Sequence, residues 1–200
     1  MSKILCVGRQ FGSGGHQIAK QAAERLGIPY YDKDLLEKAA EISGISKQIL
    51  EKAEERAVNP LLYGLYYEGN LKEHYGKSAN DIIYAVQKLL ILDAASEGDC
   101  VIVGRCAGEI LRETQEHFVL DVFIAAPMDF RIKRTMEIDK LEEKEAAAKV
   151  RKMDKIRKAY YNYYSERDWG KPSDYDIVVN SCYLGEERAV ELMVNLFTAI

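Results

Sequence analysis

The segment Phe118–Ala125 constrains the fold more than any other part of the chain. It is apolar apart from Asp121 and shows no alternation of polar and apolar positions. A strand of that kind needs cover on both faces, which a parallel sheet between two layers of helices supplies. Lys3–Val7 (ended by Gly8), Ile28–Tyr31, Cys100–Val103 (ended by Gly104-Arg105) and Asp176–Val179 read as further short strands. Helical spacing fills the intervals. Ile18, Ala22, Ala23 and Leu26 mark a first helix, closed by Gly27. Others are predicted over Asn80–Ala95, around Ile110-Leu111, from Pro127 as first helical residue, from Glu142 to about Tyr164, and over Glu186–Ala199.

Asp32 reads as the cap of a helix through Leu35, Leu36, Ala39 and Ala40. Ser46 opens another with Ile49, Leu50 and Ala53. Ala57–Ser78, with Asn59-Pro60, Gly64, Gly69-Asn70 and Gly76, reads as short helices and loops of an insertion. Strands alternating with helices predict a single α/β domain, a doubly wound five-stranded parallel sheet.

Composition narrows the partners. An apolar fraction of 48% with 30% charged residues excludes wholesale disorder. Against 32 acidic residues there are 28 basic ones, a net charge of −4, which does not suit a binder of nucleic-acid polymers. No apolar run approaches the about 20 residues that span a bilayer. The N-terminus reads as a strand and not as a signal peptide. The expectation is a cytoplasmic protein without a membrane partner. Cys6, Cys100, Cys106 and Cys182 form no CxxC pair and read as buried free thiols.

The strongest chemical signal is Gly12-Ser13-Gly14-Gly15-His16, between the first strand and the first helix. Glycines let backbone N–H groups converge on an anion, and the helix N-terminus adds its dipole. The alternative is a glycine turn without a ligand. A second signal is Gly104-Arg105 at the carboxyl end of the third strand, where ligands of open α/β sheets sit. Arg105 there can grip a phosphate or pair with a surface carboxylate. The third is Lys149–Lys158, with six basic residues and one acid. On a helix, Val150, Met153, Ile156 and Tyr160 form the apolar stripe. Arg151, Lys155 and Lys158 face away from it, and Asp154 and Arg157 lie on its flank.

Gly12-Ser13-Gly14-Gly15, Leu26–Asp32, Val101–Arg105 and the final strand Tyr175–Asn180, taken in order, resemble the cytidylate kinase-like proteins. That resemblance covers essentially the whole chain. It implies a P-loop kinase-like fold with a helical acceptor-binding insertion at about 36–96 and a lid at about 137–157. It further implies that Gly12, Ser13, Gly14, Gly15 and His16 bind donor phosphates. Asp32 would position the acceptor or the magnesium shell. Arg105, Asp154 and Arg157 would contact the acceptor, and Arg131 and Arg134 would be basic residues on the helix after the fourth strand.

Three positions depart from the family pattern. Gly15 stands at the P-loop lysine, and His16 at the magnesium-binding hydroxyl. Cys106 replaces the aspartate of Gly-Arg-Asp. Arg9, His16, Lys33 and Arg157 are candidates to replace the lost charge, with Arg9 and Arg157 joining Asp32 as expected catalytic residues. The resemblance implies an ATP- and magnesium-dependent phosphotransferase acting on a nucleoside monophosphate such as CMP, or on another small acceptor. The alternative is a nucleotide or phosphate sensor without turnover, and a third reading is a scaffold that has lost its ligand.

Overall fold

Residues along each strand alternate between two covered faces, and the burial of β1 shows why. The computed structural model describes residues 1–32 and 79–200. In β1 (Lys3–Arg9), Ile4 and Cys6 join one core cluster while Leu5 and Val7 join the other, all at most 1% exposed. The other strands are β2 (Tyr30–Tyr31), β3 (Cys100–Val103), β4 (Phe118–Ala125) and β5 (Ile177–Asn180). All pair in parallel, in the order β2-β3-β1-β4-β5.

Helices cover both faces, as a parallel sheet requires. On one face lie α1 (Gly15–Leu26) and α7 (Glu186–Ala199), through Ile18, Ala22, Val190 and Met193. On the other lie α2 (Ala79–Glu97), α3 (Ala107–Thr114) and α5 (Glu143–Tyr164), through Ile91, Ile110 and Tyr161. Among the described residues the remaining α-helices are α4 (Met128–Asp139), which precedes α5, and the short α6 (Ser181–Leu184). The doubly wound five-stranded α/β sheet expected from the pattern is therefore the observed one.

Several boundaries differ from the sequence reading. Gly8 does not end β1, because Gly8 and Arg9 continue the ladder opposite Phe123 and Ile124. A Cβ on Gly8 would meet the Phe123 ring at 2.8 Å, so glycine there is a packing requirement. Pro127 is the N-cap of α4 and not its first residue, since its ψ of 149° is extended. Gly27 caps α1 as expected, with φ 67° and its N–H donating to the Ala23 and Glu24 carbonyls. The helix expected from Asp32 onward, the helix opened by Ser46, the 57–78 loops and Lys33 lie outside the described residues.

Part of the 36–96 segment belongs to the core. In α2, Ile91 and Ala95 are fully buried and pack with Ile4, Cys6, Cys100 and Ile102. Three of the four free cysteines are buried as expected, and Cys182 is exposed. Burial holds the Cys6 thiol well above its ordinary range and pushes Cys100 up to about 12, which keeps both protonated and unreactive. Among the described residues, no helix is long and apolar enough to cross a membrane.

Ile91→Ala tests whether α2 is integral to the core. Removing a fully buried side chain from this cluster is expected to cost about 2–4 kcal/mol in urea denaturation. A loss well under 1 kcal/mol would show that α2 is dispensable decoration.

Candidate active site

The carboxyl edge of the sheet gathers the charged residues. β1 ends at Arg9, β2 runs into Asp32, and β3 runs into Gly104-Arg105. In an open parallel sheet this edge opens into a crevice where neighbouring strands send their connections to opposite faces. A cleft of about 740 Å³ lies there, bordered by the glycine loop, by Asp32 and Arg105, and by residues of α4 and α5.

The loop is shaped by backbone that only glycine adopts without strain. Gly12 has φ 77°, and a Cβ there would stand 2.6 Å from the Arg131 carbonyl oxygen. Gly14, the N-cap of α1, has φ 81°. Inside the turn, the Ser13 hydroxyl donates to the Gln10 carbonyl at 2.8 Å, and the Ser181 hydroxyl donates to the Ser13 carbonyl at 2.6 Å. Ser13 is thus a buried strut of the loop. The N–H groups of Gly14, His16 and Gln17 have no acceptor among the described residues, and they open on the N-terminus of α1. Such a cradle fits the phosphates of a nucleotide.

The space beside Gly15 is occupied. A Cβ on Gly15 would meet the Arg9 Cβ at 2.6 Å, so the Arg9 stem fills that position. A Cβ on Gly104 would run into the Arg9 guanidinium. Arg9 is therefore packed between two glycines, with its charged end directed at Asp32.

Asp32 is the electrostatic centre of the cleft. Its carboxylate is 7% exposed and accepts Arg9 Nη2 at 3.4 Å and Arg105 Nη1 at 3.2 Å. His16 Nδ1 lies 2.7 Å from its other oxygen and 3.0 Å from the Tyr30 hydroxyl. Burial opposes the charged form, but the Arg9 and Arg105 guanidiniums and the His16 hydrogen bond outweigh it and hold the carboxyl below its ordinary range. Arg105 and Cys106 both occupy left-handed backbone, at φ 56° and 57°. Non-glycine residues in that region store on the order of 1–3 kcal/mol each, a cost concentrated at functional sites.

The basic and acidic residues of α4 and α5 divide into clamp and rim. Arg131 is 4% exposed and donates to the Ala126 carbonyl at 3.0 Å, the Phe11 carbonyl at 3.2 Å and the Asp154 carboxylate at 2.5 Å. Asp154 also accepts the Phe11 N–H at 2.8 Å. Asp154 thereby joins α5 to the loop through Arg131 and lies near Arg157, the residue it was expected to accompany. Arg157 donates to the Arg9 carbonyl at 3.1 Å and covers the Phe11 ring at 5.4 Å. Arg134 pairs with Glu186 at 2.5 Å beside Gly14, on the rim of the cleft. Arg151, Lys155 and Lys158 are exposed, as the helix phase predicted.

Two features escaped the sequence reading. Gln10 accepts the Ala126 N–H at 2.9 Å and so ties the loop to the end of β4. Asp121 is 4% exposed, and burial raises its carboxyl to about 7. Asp176 and Glu109 add to that rise, and Arg112 and Arg167 oppose it. Its signal was visible as the lone acid in an otherwise apolar strand. No cluster of metal-ligating side chains occurs among the described residues. Asp32 lies near the cradle, and its carboxylate suits the water shell of a magnesium ion carried by phosphates. His16 does not suit direct ligation of that ion.

A five-stranded parallel sheet with this order and a glycine loop after β1 is the α/β fold of P-loop-type kinases. The shikimate kinase of Bacteroides thetaiotaomicron shares the fold, with a TM-score of 0.57 at 12% identity over 99% of both chains. The chain belongs to the cytidylate kinase-like family, whose model matches residues 4–183. It is similar to the cytidylate kinase of Ignicoccus hospitalis, 23% identical over 94% of this chain and 95% of that one. The cytidylate kinase of Pyrococcus horikoshii is 25% identical over 89% of this chain and 79% of that one. A solved structure of an uncharacterized protein from Eubacterium ventriosum has a TM-score of 0.73 and 30% identity, covering 99% of both chains.

Two outcomes test this geometry. Asp154→Ala leaves the buried Arg131 charge unpaired and is expected to cost about 3 kcal/mol of stability. An unchanged melting curve would show the clamp to be inert. Folding raises the Asp121 pKa above its unfolded value, so stability linked to it is full in acid and lost as pH rises through about 7. Asp121→Asn should therefore gain melting temperature relative to the parent as pH goes from about 5 to about 8. A constant difference across that range would contradict the raised pKa.

Proposed function

We propose that the protein is an ATP- and magnesium-dependent phosphotransferase acting on a nucleoside monophosphate such as CMP or on another small acceptor. One observation carries the reading. The open N–H cradle of the glycine loop and the Arg9–Asp32–Arg105 cluster face a single cleft. The first is complementary to donor phosphates, the second to the charge of a group in transfer.

In this mechanism Gly12, Ser13, Gly14, Gly15 and His16 wrap the donor phosphates, chiefly through backbone N–H groups. The acceptor oxygen attacks the γ-phosphorus, the bond from that phosphorus to the β,γ-bridging oxygen breaks, and ADP leaves with the electron pair. Arg9, Arg105 and Arg157 stabilise charge on the phosphoryl group, and Asp32 holds Arg9 and Arg105 in place. Positioning and electrostatics supply the catalysis, since a phosphate nucleophile needs no strong base. Magnesium bound with the nucleotide neutralises phosphate charge. Asp154 acts through the loop, and Arg134 on the rim adds positive potential. The 137–157 segment serves as the lid, and soluble small molecules of the cytoplasm are the partners.

The sensor reading also has an observation in its favour. His16 stands at the hydroxyl position and is already bonded to Asp32. An ADP-release assay against nucleoside monophosphates and small alcohols, with magnesium or manganese, decides between them. Turnover with at least one acceptor is the expected result. ATP binding without any transfer would establish the sensor. Arg9→Ala is expected to lower turnover by roughly 10²-fold and to weaken ATP binding much less, because the cation acts on transition-state charge. An equal loss in both would assign Arg9 to ground-state binding.

A further inference from the structure

One carboxyl in the cleft takes no part in the phosphate end. Asp121 lies opposite Cys6 in the β1–β4 ladder, three residues before Ile124, which is opposite Arg9. At the rise of a strand, its place is about 10 Å from the cationic edge, toward the floor of the cleft. It lines the cleft and is 4% exposed. Its backbone N–H donates to Asp176 at 2.8 Å, but its carboxyl has no hydrogen bond or ion pair among the described residues. An unpaired buried carboxyl is costly, so a fold that retains one inside a cleft holds it within reach of a ligand.

The surroundings define what that ligand is. On one side, α3 approaches so closely at Gly108 that any Cβ would strike the Asp121 carboxyl. On the other stand aromatic rings that line the same cleft. Tyr161 and Tyr175 stack with centroids 6.1 Å apart, and Trp169 meets the Phe123 ring edge-on at 5.2 Å. Arg112, Asp176, Arg167 and Glu109 are spent on one another, in the Arg112–Asp176 and Arg167–Glu109 ion pairs. A polyol would need several polar partners here, and beside the Asp121 carboxyl the unpartnered buried polar side-chain atom among the described residues of the floor is the Tyr161 hydroxyl. A flat ring with one polar edge matches an aromatic wall and a single carboxyl.

We infer that Asp121 determines acceptor specificity, by hydrogen bonding the polar edge of a nucleobase that enters between the aromatic wall and α3. The distance from Asp121 to the cationic edge suits the length of a nucleoside, with its phosphate at Arg9 and Arg105. In its neutral form the carboxyl offers one donor and one acceptor, complementary to a base edge with an acceptor beside a donor. This rests on the phosphotransferase reading only for what occupies the edge, and its test is independent of turnover.

The test is calorimetric binding of CMP, UMP, AMP and ribose 5-phosphate to the full chain, as parent, Asp121→Asn and Asp121→Leu. At least one nucleotide should bind the parent roughly tenfold or more tightly than ribose 5-phosphate, a difference of about 1.4 kcal/mol. Asp121→Leu, with its fold checked by thermal melting, should erase that preference. Asp121→Asn, which keeps a donor and an acceptor, should retain most of it. ATP affinity should be the same in all three. A folded Asp121→Leu that keeps the preference overturns the inference, as does a parent that binds ribose 5-phosphate as well as the nucleotides, or binds none of the four. Phosphoryl transfer to a base-free acceptor alone would sink the inference and leave the phosphotransferase reading standing. Asp121-dependent nucleotide binding without transfer would do the reverse.

Discussion

A single buried carboxylate joins the ends of three strands. Asp32 follows β2, Arg9 ends β1, and Arg105 follows β3, so their ion pairs fix the carboxyl edge where the sheet has no further ladder bonds. His16 brings the first turn of α1 to the same carboxylate. A charge this buried survives only with such partners. The partners in turn leave a cleft whose edge carries more guanidinium groups than carboxylates, the condition for drawing in a phosphorylated ligand.

The glycine loop is held from both ends by groups that never reach the cradle. Gln10 ties it to β4, Ser181 ties it to the start of α6, and the Arg131–Asp154 pair ties it to α4 and α5. Fixed backbone dipoles are useful to a charged ligand because they need no rearrangement when it arrives. The glycines at 15 and 104 serve the same end, making room for Arg9 where a longer loop side chain would otherwise stand. The space that side chains at 15 and 104 would need is thus the space Arg9 fills.

The cleft changes character along its length. Its edge is cationic and backbone-lined, whereas its floor is aromatic and carries a carboxyl whose pKa burial raises to about 7. Arg9 at the edge and Asp121 at the floor belong to the paired strands β1 and β4, so their separation is set by the ladder register and not by a flexible loop. That rigidity lets one sheet present two kinds of chemistry at a fixed spacing.

Local pattern determined the order of strands and helices, the glycine turn, the Gly27 cap and the face of α5 on which Arg151, Lys155 and Lys158 are exposed. These depend on neighbours within about four residues, the reach of helical and strand periodicity. The sequence also carried the family resemblance, because its motifs lie in chain order. Tertiary structure alone decided which charges meet. Arg157 reaches a carbonyl 148 residues away and Asp154 an N–H 143 residues away, separations over which periodicity carries no information. It decided as well that Gly15 yields its space to Arg9, and that Asp121 faces the cleft and not a partner in the core. Charge pairing is a property of folded distance, and only packing brings residues this far apart in the chain to within a hydrogen bond.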